Sequence, residues 1–175
     1  MSQVKPKKGE YKVLLYYKFV PVEDAESVMA WQKTLCENLN LTGRIIVAPH
    51  GINGTLGGTL DECKAYVRAM NKHSKVKGIA YKWSEGTGHD FPKLSVKVRQ
   101  ELVTLAPGEE FDVFNKSKGL SAEQWHNYLE QNPDVTLLDA RNVYESEIGV
   151  FKGKNLIAPK INAFREIKDH LNDID

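Results

Sequence analysis

GRIIVAPHGINGTLGG, residues 43–58, is the stretch on which the fold turns. Two short extended runs flank Pro49-His50-Gly51, where proline presets one turn torsion and glycine permits a positive φ, so the segment reads as a hairpin, or as a strand and a loop. Upstream, residues 11–20 (YKVLLYYKFV) are apolar, aromatic and β-branched over one strand length, as a central strand requires, and Pro21 closes them. Residues 23–40 then place Val28, Trp31, Leu35 and Leu39 at intervals of three and four, the stripe of an amphipathic helix, with Cys36 beside it. Downstream, Thr59-Leu-Asp-Glu62 has the form of a capping box, and Cys63, Val67 and Met70 carry an apolar stripe on to about Lys72. Residues 76–83 and 94–103 read as further strands on either side of the turn-rich segment 84–92. The resulting order begins strand, helix, strand, strand, helix, strand, which is the split βαβ pattern of a ferredoxin-like sandwich. This is an α+β class in which two helices cover one face of an antiparallel sheet.

The flanks are organised differently. Residues 1–10 are polar and Lys-rich and read as a flexible tail, whereas residues 106–119 form a polar connector containing Pro107, Gly108 and the pair Glu109-Glu110. Leu120-Ser-Ala-Glu-Gln-Trp125 then opens a helix with two signals, a Ser121/Gln124 capping box and a Leu120/Trp125 hydrophobic staple, and Asn132-Pro133 ends it. Residues 135–139 (VTLLD) are a short apolar run of the kind buried on both faces in parallel α/β sheets. Phe164, Ile167 and Leu171 mark a short amphipathic helix. The expected division is therefore a tail over 1–10, a ferredoxin-like domain over 11–105, a connector over 106–119 and a second, partial α/β domain over 120–175.

With 175 residues, 41% of them apolar, the chain has material for two modest cores. A formal charge of +1 gives no global sign of a nucleic-acid or membrane partner, but the average hides a split. Residues 64–99 hold nine Lys/Arg against two Asp/Glu, and residues 100–148 hold three against ten, which points to an anionic partner for the first block. Only Cys36 and Cys63 occur, nothing resembles a leader, and no apolar run approaches the roughly 20 residues that span a bilayer. A soluble protein of a reduced, cytoplasmic setting is expected.

Lys64, Arg68 and Lys72 recur every four residues along one helix face, with Lys75, Lys77 and Lys82 following and Tyr81 and Trp83 interleaved. The set suits phosphate neutralisation and base stacking, and equally describes an ordinary solvated face. Asp139, Arg141 and Glu145 follow the second-domain strand either as supports for an adjacent loop or as a strand-end ion-pair cluster. Gly51 to Gly58 lacks the Gly-Lys-Ser/Thr ending of a nucleotide loop, so hairpin backbone freedom accounts better for its glycines. Cys36 and Cys63 have carboxylates and no glycine cradle nearby and read as packing residues. His50, His73, His89, His126 and His170 show no ligand spacing; His50, beside the hairpin, is the one worth testing. Neither a metal nor a cofactor is expected.

Taken in order, Gly43-Arg-Ile-Ile-Val with Gly51-Ile-Asn-Gly-Thr55, Leu94-Ser-Val-Lys-Val-Arg99 with Glu101-Leu-Val, Leu120-Ser-x-x-x-Trp125, Asp139-Ala-Arg-Asn-x-Tyr-Glu145 and Ile148-Gly-x-Phe-Lys-Gly153 resemble the bacterial tRNA uridine hydroxylases. Those proteins join an N-terminal acylphosphatase-like domain to a rhodanese domain. The resemblance implies tRNA as partner and hydroxylation at C5 of the wobble uridine, with oxygen as oxidant and a cysteine required in a Cys-Thr-Gly-Gly-Ile-Arg-Cys type of loop. No cysteine follows Cys63 here, so the expectation is a substrate-gripping scaffold without its catalytic thiol, and Asp139, Arg141 and Glu145 are supports only. A non-catalytic RNA-binding or adaptor protein is the competing expectation, and sulfur transfer by a longer form a third. True acylphosphatases also carry an Arg after the first strand, and residues 19–24 contain none, so that activity is not expected.

Overall fold

The computed structural model describes residues 10–102 and 119–171, and all but the edges of the expected tail and connector lie outside the described residues. The backbone divides into two compact units, Met1–Leu102 and Val103–Asp175.

In the first unit the order is β1 (Tyr11–Phe19), α1 (Ala25–Asn38), β2 (Thr42–Ala48), β3 (Gly51–Thr59), α2 (Leu60–Lys72), β4 (Tyr81–Glu85) and β5 (Leu94–Val98). They build a five-stranded sheet in the order β4-β1-β3-β2-β5. Residues 43–58 form the hairpin, with Ala48 facing Gly51 across its turn. The first four strands pair antiparallel, as a ferredoxin-like sandwich requires, but β5 joins β2 in parallel. That departs from an all-antiparallel sheet because the chain leaves β4 at one edge and enters the opposite edge running along β2. The expected strand over 76–83 starts only at Tyr81: Val76 is buried in a turn, Ile79 is buried just after it, and Gly78 sits at φ 75, outside extended conformation.

Side chains alternate across the sheet, so one face is dry. Leu14 and Tyr16 of β1, Ile45 and Val47 of β2, and Ile52 and Leu56 of β3 point at the helices and are buried. On α1 the fully buried positions are Gln32 and Cys36; the Val28, Trp31, Leu35, Leu39 stripe packs around them only partly buried. A polar residue reaches the core because it finds partners there. Tyr66 Oη donates to Gln32 Oε1 at 2.6 Å, Gln32 Nε2 lies 3.1 Å from Met70 Sδ, and the Tyr16 and Tyr66 hydroxyls share a hydrogen bond. Burial pushes both tyrosine hydroxyls well above their ordinary pKa. The Tyr16 ring lies on Gly54, its partner across the ladder, where a Cβ would come within 2.3 Å of the ring.

Helix α2 begins as its sequence predicts: Glu62 N–H donates to Thr59 Oγ1 at 3.3 Å, and Thr59 N–H donates to Glu62 Oε2 at 2.7 Å. Asp24 caps α1 by accepting from Ser27 N–H at 2.9 Å, and its bonds to Ser27 hold its carboxyl below the ordinary range.

The second unit runs α3 (Ala122–Gln131), β6 (Thr136–Leu138), α4 (Val143–Ser146), β7 (Asn155–Ile157), a 3₁₀ turn (Phe164–Glu166) and α5 (Ile167–Leu171). The Ser121/Gln124 box forms reciprocally, with bonds of 2.9 and 3.2 Å. Strands β6 and β7 pair in parallel, Leu137 facing Leu156. Of the run expected to be buried on both faces, Leu137 is buried but Leu138 is 40% exposed, because among the described residues β6 has a single neighbouring strand.

Candidate functional site

The basic residues fall into three places. Lys64, Arg68 and Lys72 form an exposed line on α2, turned away from its buried Cys63, Tyr66 and Met70, and none makes an ion pair among the described residues. At four-residue intervals their α-carbons rise about 6 Å each along the helix axis. Beyond the helix, Lys75 pairs with Glu23 at 3.0 Å, and the Lys77 carbonyl accepts from Lys18 Nζ at 2.6 Å. Lys82 lies opposite Leu15 in the β1–β4 ladder, which puts it on the face of the sheet that the helices leave open. So α2 gathers three of the six cations, Lys75 and Lys77 follow its end, and Lys82 stands on the other side of the sheet. The interleaved aromatics also differ: Tyr81 packs against Tyr16 at 5.2 Å between ring centroids, while Trp83 is exposed.

Neither thiol is poised for chemistry. Cys36 and Cys63 are both fully buried, and burial, reinforced by Glu37 and Glu62 respectively, pushes the thiols up to about 12 and about 11. A nucleophilic cysteine needs the opposite environment, positive and open to solvent. Cys63 Sγ instead donates to the Lys12 carbonyl at 3.7 Å.

At the end of β6, Arg141 grips Asp139 in a fork: Nε to Oδ1 at 2.9 Å and Nη2 to Oδ2 at 2.7 Å. Its Nη2 also donates to the Gly149 carbonyl at 2.7 Å, so one guanidinium ties the strand end to the segment that follows α4. The Arg141 hydrogen bonds hold the Asp139 carboxyl below the ordinary range, and Asp139 in turn raises Arg141. Glu145 turns elsewhere, its Oε2 accepting from Asn142 N–H at 3.2 Å at the start of α4.

His50 stacks on Phe19 at 6.0 Å, and its Nε2 accepts from Leu102 N–H at 3.2 Å, which ties the hairpin turn to the end of the first unit. Among the described residues no three His, Cys, Asp or Glu side chains gather as a metal-binding group. No helix among them is long and apolar enough to cross a membrane. The glycine run from Gly51 to Gly58 lies within β3, inside the sheet.

The sequence profile of the UPF0176 acylphosphatase-like domain matches residues 11–102, just over half of the chain. The chain belongs to this family. A tRNA uridine(34) hydroxylase of Corynebacterium diphtheriae is 44% identical over 173 residues, covering 95% of this chain and 54% of its own length. Proteins of the same name from Corynebacterium urealyticum and Corynebacterium aurimucosum are each 46% identical, over 158 and 156 residues, covering 87% and 86% of this chain and 52% and 50% of theirs. The chain thus spans about half the length of the curated relatives it matches.

Within the UPF0176 domain, reading along the sequence missed two groups. Gln32 escaped because a search for apolar spacing passes over a glutamine. The second group is the open face of the sheet, where Leu15 and Tyr17 alternate with the buried Leu14 and Tyr16. The alternation in residues 11–19 could have revealed it, but the run is so uniformly apolar that the two faces look alike.

Proposed function

We propose that this chain is the tRNA-gripping portion of a protein that hydroxylates C5 of the wobble uridine in certain tRNAs. The observation that carries the proposal is the 44% identity with the C. diphtheriae hydroxylase, which extends over both units. The free cations of α2 supply phosphate contacts in this reading, as tRNA binding needs, and two buried thiols accord with a reduced cytoplasmic setting.

On the same reading the second unit is the first part of a rhodanese-like domain, with the division expected from sequence: tail 1–10, ferredoxin-like domain 11–105, connector 106–119 and partial domain 120–175. Exposed apolar side chains support it, since Ile148 is 88% and Phe151 54% exposed, surface that additional strands and helices would cover. The Asp139–Arg141 fork and the Glu145 bond to Asn142 then position a loop and transfer no proton.

The test is nucleoside mass analysis of tRNA from cells lacking the gene. Loss of 5-hydroxyuridine-derived nucleosides at the wobble position is the expected result; an unchanged level, with the chain still binding tRNA, would favour an adaptor instead. Purified protein of residues 1–175 should form no 5-hydroxyuridine, and turnover by it would overturn the assignment of chemistry to another part of the protein.

A further inference from the structure

The face of the five-stranded sheet that carries no helix among the described residues offers a second surface. Ladder register lays its side chains out in rows. One row runs Lys82, Leu15, Thr55, Arg44, Ser95 across β4, β1, β3, β2 and β5, and the next runs Tyr17, Asn53, Ile46, Lys97 across the last four. Strands lie about 4.8 Å apart, so the first row is roughly 19 Å wide.

Three features of these rows point the same way. Lys82, Arg44 and Lys97 are exposed and make no ion pair among the described residues, whereas Lys12, on the opposite face, is paired with Glu85. No Asp or Glu from any of the five strands stands in either row. At the β1 end of the second row sits Tyr17, 64% exposed, with its ring edge-on to Phe19 at 6.1 Å and with Leu15, 44% exposed, two residues away. A large aromatic left in water on the same face as three unopposed cations, with the Asn53 amide opposite it and the Thr55 hydroxyl nearby, combines the elements that hold single-stranded nucleic acid: a stacking plane, phosphate partners and groups able to meet base edges.

The ends of the face are closed. At one, Phe91 packs against Gly57, and the nearby Asp90 carboxylate is taken up by the Thr87 and Gly88 N–H groups. At the other, Leu102 packs against Gly51. Among the described residues, what remains open between these ends is a strip that runs across the strands.

We infer that this open sheet face binds unpaired nucleotides of an RNA, with Tyr17 stacking on a base and Arg44, Lys82 and Lys97 meeting phosphates. The inference rests on the tRNA reading above and assigns the stretch of RNA that this domain holds.

Fluorescence anisotropy of the 175-residue chain with a ten-nucleotide oligouridine, and separately with whole tRNA, tests it. Tyr17→Ala should weaken oligouridine binding about 5- to 160-fold, the range for removal of one base-stacking aromatic. Tyr17→Phe, which keeps the ring, should bind within about 2-fold of the unmodified chain on the same ground. The double variant Arg44→Ala/Lys97→Ala should make the salt dependence shallower, by about 0.7 in logarithmic slope for each phosphate that is no longer neutralised. Unchanged oligouridine affinity in a folded Tyr17→Ala chain would overturn the sheet-face site while leaving tRNA binding through α2 standing. If Tyr17→Ala altered self-association and not RNA affinity, the face would belong to protein contact and the inference would fail. A chain that bound neither oligouridine nor tRNA at low salt would remove both this inference and the reading beneath it.

Discussion

The two faces of the one sheet use the same strands for opposite purposes. Toward the helices, Leu14, Tyr16, Ile45, Val47, Ile52 and Leu56 are buried, and the polar side-chain atom among them, the Tyr16 hydroxyl, is joined into a hydrogen-bonded chain. Away from the helices, Leu15 and Tyr17 stand in water beside Arg44, Lys82 and Lys97. Adjacent residues of β1 thus differ completely in what they contribute: Leu14 and Tyr16 hold the fold together, and Leu15 and Tyr17 leave it indifferent and available for binding.

Leu14→Ala should break this contrast most severely, costing about 2–5 kcal/mol in urea denaturation, because a fully buried leucine is replaced by a cavity. Gly54→Ala follows at about 3 kcal/mol, since its new methyl would collide with the Tyr16 ring and overpack a filled core. Tyr66→Phe should cost roughly 1–3 kcal/mol by leaving Gln32 Oε1 buried without its donor.

Alkaline pH probes the same dry face more gently. Both thiols ionise near an ordinary 9.0 when unfolded but hold their protons to about 12 and about 11 when folded. The stability they contribute is therefore complete below pH 9 and declines above it, by at most about 1.4 kcal/mol per pH unit for each thiol. Tyr16 and Tyr66 act with the same sign above pH 10. Denaturation curves between pH 8 and 10 check this, and replacing both cysteines with alanine should flatten the decline over that window. At the small end, Tyr17→Ala and Leu15→Ala should shift stability by no more than about 0.5 kcal/mol. A cost near that of Leu14→Ala would mean the outer face is packed after all.

What could be read from the sequence depended on how far apart the partners lie. The capping boxes at Thr59/Glu62 and Ser121/Gln124 were legible because each is complete within four residues, and the strand and helix order followed from the 43–58 hairpin and its flanks. Gln32 was not, since its place in the core depends on Tyr66 and Met70 from the other helix. Residues 94–103 were recognisable as a strand, of which 94–98 form β5, but only the path of the chain across the sheet decided that β5 pairs parallel to β2. The basic residues were visible as a block, yet the alternation in β4 sends Lys82 to a different side from Lys64, Arg68 and Lys72. Charge along a sequence says how many cations a segment carries and not which way they look.

The seat that Gly54 provides for Tyr16 also governs how the sheet can assemble. Sliding β3 by one residue along β1 would turn its buried side chains into water, and sliding it by two would bring Ile52 or Leu56 beneath the aromatic ring. A single missing methyl therefore works as a notch that admits one alignment and refuses its neighbours, so the hairpin cannot settle out of step while the rest of the molecule closes around it.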